Sequence, residues 1–195
     1  ITNSLKSQFP STLLLTTYPL ESDVMFDLAG ILYSGETATP AYRAMSAAEV
    51  GAYFAPDGAN DDYNYSSQYE DVAMLFEEAM MKFHFDMDRD VGFTNAADSY
   101  YCDDYILGWG MRNRLGVEKI KTRAQWVVGQ LLPDSDYSLL FDLFPEPSQL
   151  PTDVSWCDSD TVLTVATEKS FADATKDRKI NPRNLMPSGG LQNGF

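Results

Sequence analysis

The chain has 195 residues, 44% of them hydrophobic, which is globular rather than disordered composition and enough for one buried core. It carries 29 acidic residues against 14 basic ones, a net charge of −15 and an isoelectric point of about 4.2. Such a surface repels phosphate backbones and anionic membranes, which excludes nucleic-acid partners, and no apolar run approaches the ~20 residues of a membrane span.

The first element is an apolar run, Leu13-Leu14-Leu15, ended by Tyr18-Pro19. Ser22 then offers an N-cap to "DVMFDLAGILYSG", where Val24, Leu28, Ile31 and Leu32 recur at helical spacing and Gly35 is the stop. Ser46 and Glu49 have the spacing of a capping box for a short helix that Pro56-Asp57-Gly58 terminates. A polar loop, 57–67, leads into a long helix opened by Ser67 and reaching Asp88. Residues 88–116 are glycine-bearing and lack a helical period, so an irregular, partly extended segment is expected there. Helix resumes from Val117 to Leu132, with Ile120, Ala124, Val127, Val128 and Leu131 on one face and Pro133 behind it. "DSDYSLLFDLFP" supplies one more short helix, capped by Asp134 or Ser135 and stopped by Pro145. A β-rich piece at Thr161–Val165 leads into a last helix, and 180–195 reads as a C-terminal tail or arm.

The expected fold is mainly α, an irregular helical domain over 1–179 with little strand. Cys102 and Cys157 either close one long loop as a disulfide or stay as two free thiols. The scarcity of Lys and the abundance of Asn, Ser, Asp and Tyr lean towards an extracytoplasmic protein, periplasmic or secreted. The opening Ile1-Thr2-Asn3 lacks Met, as in a processed form or a piece of a longer protein.

Much of the acid, and the only histidine, fall on the helix beginning at Ser67. At 100° per residue, Tyr69, Val72, Ala73, Phe76, Ala79, Met80 and Phe83 form the apolar face. Asp71 and Glu78 fall opposite and are expected in water. Glu70, Glu77 and His84 are spaced by seven and run along the border. Seven residues rise about 10 Å, so these three cannot share one ion.

The stretch "YEDVAMLFEEAMM" resembles the helix of gluzincin-type zinc metallopeptidases that supplies the third zinc ligand, with Glu70, Asp71, Ala73 and Phe76 in the matching places. The resemblance implies that Glu70 binds zinc and that Asp71 orients a ligand histidine from behind. It also implies two histidines of an HExxH helix, which this chain lacks: its one histidine, His84, follows Glu70. The chain would then be the C-terminal part of a peptidase acting on peptide or protein, inactive alone and completed by a histidine-bearing companion segment. The alternative is a non-catalytic acidic binding or interaction domain that calcium could stabilise.

Asp86, Asp88 and Asp90 alternate like the opening ligands of a calcium loop, but Val91 stands where such a loop needs glycine and Ala97 where it needs glutamate. Arg89 is expected to pair with one of those aspartates. Asp57, Asn60, Asp61 and Asp62 form a second loop able to wrap a cation. Tyr63, Tyr65, Tyr69, Tyr100, Tyr101 and Tyr105 suit either a sugar- or peptide-binding surface or the rim of a core.

Overall fold

The computed structural model describes residues 8–142 and 144–159. The β-rich piece at 161–165, the boundary at 180 and the terminal arm lie outside the described residues. Helix α1 (Pro10–Thr17) starts on a proline, whose missing N–H costs nothing in a first turn. Helix α2 (Asp23–Ser34) is capped as expected: Ser22 Oγ accepts from Met25 N, and Gly35 ends it at φ 74°. A short α3 (Pro40–Ala44) precedes α4 (Ala47–Phe54), which opens with the complete Ser46–Glu49 capping box. Helix α5 (Gln68–Phe85) is capped by Ser67 and ends at Asp86, a left-handed residue at φ 50°. Helix α6 (Glu118–Leu131) and the short α7 (Ser138–Asp142) complete the helices.

The segment read as irregular holds two strands, β1 (Asp90–Thr94) and β2 (Leu107–Arg112). With β3 (Ser148–Gln149) they form an antiparallel sheet in the order β1-β2-β3. Phe93 pairs with Trp109 and Thr94 with Leu107, so Gly108 is the extra residue of a bulge. The domain is mainly helical, with more sheet than its sequence suggested. Glycines that weaken a strand signal are here what permits close packing: a Cβ on Gly108 would sit 2.7 Å from the Ala47 side chain on α4. Cys102 and Cys157 are joined as a disulfide, Cα to Cα 5.5 Å.

Two hydrophobic clusters form the interior. One gathers Leu14, Leu75, Ala79, Leu115, Ile120, Ala124, Val127, Val128, Leu140 and Phe141 from α1, α5, α6, α7 and the turn before α6. The other gathers Leu20, Met25, Ala29, Phe54, Ala59, Tyr65 and Val91, with Phe93 and Trp109 packed against it.

A buried polar seam ties the clusters together, and it reverses one expectation. Asp71 and Glu78 are 5% and 7% exposed, whereas Tyr69 is 66% exposed and Phe83 42%. The inward stripe of α5 is Asp71, Met74, Leu75, Glu78 and Ala79, a helical period that alternates charge with hydrocarbon. The helix turns this way because partners wait for its acids. Arg123 Nη2 donates to Asp71 at 2.5 Å, Asn64 donates to Asp71 at 2.9 Å, and Asn60 donates to Glu78 at 2.7 Å. Every described buried side-chain polar atom has a hydrogen-bond partner, which removes the penalty that would otherwise expel such a stripe.

Candidate binding groove and the fate of the acidic residues

The loop at 55–65, read as a wrap for a metal cation, is instead filled by guanidinium groups bound mainly to its backbone carbonyls. Arg114, 1% exposed, donates to the carbonyls of Phe54, Ala55, Asp57 and Ala59, closing the C-terminus of α4. Its guanidinium carbon lies 4.0 Å above the centre of the Phe54 ring. Burial pulls its pKa down to about 10, still far above neutrality. Arg123 donates to the carbonyls of Tyr18 and Gly58 as well as to Asp71. Asp57 accepts from the amides of Glu21, Ser22 and Gly58 and from the Tyr65 hydroxyl. Burial alone would raise its pKa, but those donors outweigh burial and hold it below the usual range. Asp61 caps the turn Asp62–Tyr65 and pairs with Arg89 at 2.6 Å.

The residues singled out from the sequence are dispersed. Glu70 is half-buried in the first turn of α5, its amide donates to Ser67 Oγ, and its carboxylate has no hydrogen-bond or ion-pair partner among the described residues. Asp71 is engaged by Arg123 and Asn64; burial pushes its pKa up against their pull. Glu77 and His84 are exposed, and His84 touches the rings of Phe83 and Phe85. Asp86 and Asp88 both contact Lys82, at 2.7 and 2.9 Å, while Asp90 is held by Arg112 through two 2.7 Å bonds. Arg89 goes to Asp61 and not to those three aspartates, because the β1–β2 hairpin presents Arg112 to Asp90 first. Among the described residues the one group of three candidate metal ligands is Cys102, Asp103 and Cys157, and its sulfurs are bonded to each other.

A large concavity among the described residues lies elsewhere. A groove of about 890 Å³ runs between α2, the α3–α4 segment and the end of the β1–β2 hairpin. Leu28, Ile31 and Leu32 form its α2 wall, Met45 and Val50 its α3–α4 wall, and residues 92–96 with Ile106–Gly108 its sheet wall. The α2 wall exists because that helix keeps Met25 and Ala29 inward and leaves Leu32 66% exposed. Two tyrosines brace the polar rim, Tyr33 donating to Asp62 at 2.5 Å and Tyr42 to Asp27. Burial, then the Asp62 bond, raises the Tyr33 pKa, so both stay neutral hydroxyls in water near neutrality. Arg43 is the wall's one Lys or Arg and has no partner among the described residues. The apolar periodicity of α2 was visible in the sequence; that its exposed side would face a hairpin was not. Among the described residues no helix is long and apolar enough to cross a membrane. Family models, curated proteins and solved structures gave no match to this chain.

Proposed function

We propose that this chain is an extracytoplasmic, non-catalytic binding domain whose groove takes a predominantly apolar ligand. The observation that carries the reading is the groove itself. Its 890 Å³ falls within the range of ligand sites, and aliphatic walls with a few polar rim groups have the usual chemistry of such a site. The disulfide is the reason for placing the protein outside a reducing compartment. A neutral solvatochromic dye such as Nile red tests the groove. Saturable fluorescence enhancement is expected, and a Leu32→Asp variant, altered at an exposed wall position, should lose it while keeping its circular dichroism. No saturable signal from the parent chain overturns the reading.

One observation favours a second reading. The half-buried, unpartnered Glu70 carboxylate beside an anchored Asp71 is a disposition that a metal ligand needs, in line with the gluzincin resemblance. In that reading two histidines come from a companion segment and zinc is the cofactor. A polypeptide carrying both parts should retain zinc by elemental analysis and lose it on Glu70→Gln; zinc content unchanged by that substitution removes the role.

A further inference from the structure

We infer that the ligand of the groove is an extended peptide that adds as a fourth strand to the edge of β1 left unpaired among the described residues, a statement that rests on the groove being a binding site. In the sheet order β1-β2-β3, β1 is an edge. Its hydrogen-bonding direction can be read from the neighbours. Asn113 N donates to the Arg89 carbonyl at 2.7 Å, so Arg89 and Asn113 are a hydrogen-bonded pair. Alternation then makes Val91–Met111 and Phe93–Trp109 bonded pairs and Gly92–Gly110 a non-bonded one. The Gly110 carbonyl agrees: it accepts from Leu150 N on the far side. Beyond the bulge Asn95 N donates to the Ile106 carbonyl, and Leu107 turns its own N–H and C=O to Val154 and Asp153. The N–H and C=O of Gly92 and Thr94 therefore point outward, away from β2.

The cavities lie where an added strand needs them. Five consecutive residues, Gly92 to Ala96, line the 890 Å³ groove. Within β1 the run Gly92, Phe93 and Thr94 is unbroken, where a groove over one face alone would meet alternate residues, and the groove continues past the strand end onto Ile106–Gly108. A second, shallower cavity of about 240 Å³ is lined by Gly92, Thr94, Tyr105 and Trp156. The two cavities share Gly92 and Thr94, the residues whose backbone groups point out. A peptide paired there would send successive side chains alternately into the aliphatic groove and onto the Trp156–Tyr105 side. Opposite a chain of net charge −15, with an indole at the second cavity, the fitting sequence alternates apolar residues with Lys or Arg.

The probe is a blocked hexapeptide of alternating valine and lysine, with three controls: the same peptide N-methylated at every backbone nitrogen, a valine–glutamate peptide, and Nile red. The full chain should bind the lysine peptide, and in it the Gly92 and Thr94 amides should become slow in NMR hydrogen exchange. N-methylation should weaken binding by about tenfold or more, the loss of one to two backbone hydrogen bonds. A Thr94→Pro variant, which removes an outward N–H and no ladder bond, should weaken it similarly. The inference is overturned if the methylated or glutamate peptide binds as well as the lysine peptide. It is also overturned if the Gly92 and Thr94 amides are already protected in the free chain, or if sedimentation shows that a second copy covers the edge. Nile red without peptide binding sinks the strand and leaves the groove; neither binding sinks both.

Discussion

Arg123 is the residue on which the seam between the two clusters depends. It is 1% exposed, spans from the Tyr18 carbonyl to Asp71, and among the described residues supplies the one cation within hydrogen-bond reach of that buried carboxylate. Truncating it strands Asp71 and two carbonyls in a dry interior. Arg123→Ala should destabilise the fold by about 3–5 kcal/mol in urea denaturation, since breaking a buried pair leaves an uncompensated charge. Glu78 behaves oppositely. Among the described residues no guanidinium is in hydrogen-bond contact with it; burial, opposed by the bond from Asn60, pushes its pKa from 4.5 up to about 7. The unfolded chain gives up that proton first as pH rises. Stability therefore falls between the ordinary carboxyl range and pH 7, and the whole penalty is present above it. Glu78→Gln mimics the protonated form. It should be more stable than the parent by about 1–3 kcal/mol at pH 8 and equal to it at pH 4, measured by melting across pH.

Local chemistry was the part of the elements legible in the sequence. Ser22, Gly35, Ser46 with Glu49, and Ser67 all act where their side chains say they should, because capping is decided within four residues. Ser46→Ala should cost about 1 kcal/mol of thermal stability, its hydroxyl being the acceptor for Glu49 N. What the wheel of α5 missed was decided far away in sequence. Arg123 and Asn60 belong to other elements, and nothing within the helix reports that its acids will be answered from them. The β1–β2 hairpin was hidden for a related reason. Its alternation is blurred by Gly92, Gly108 and Gly110, which exist to let α4, Leu150 and Trp156 come close. Of the candidate site, the apolar repeat of α2 was readable; the hairpin that completes the groove was not, since a cavity is a property of surfaces brought together.

At the scale of the whole molecule the disulfide is the covalent cross-link, joining Cys102 and Cys157 across a sequence separation of 55. On loop-closure grounds its reduction should lower unfolding free energy by about 4 kcal/mol, read as a drop in melting temperature with dithiothreitol. The net charge of −15 works against compactness everywhere, and the seam's arginines offset it only locally.

On the proposed strand addition, the bridge also bears on recognition. Cys157 adjoins Trp156, whose indole lines the smaller cavity beside Gly92 and Thr94, whereas the α2 and α3–α4 walls of the groove hold neither cysteine. Thiol chemistry would thus loosen one jaw of a two-jawed clamp and spare the other. In reducing medium the domain would still hold a greasy side chain but grip a basic one less firmly, making selectivity among guests, rather than capture itself, the quantity that reports the oxidation state of its surroundings.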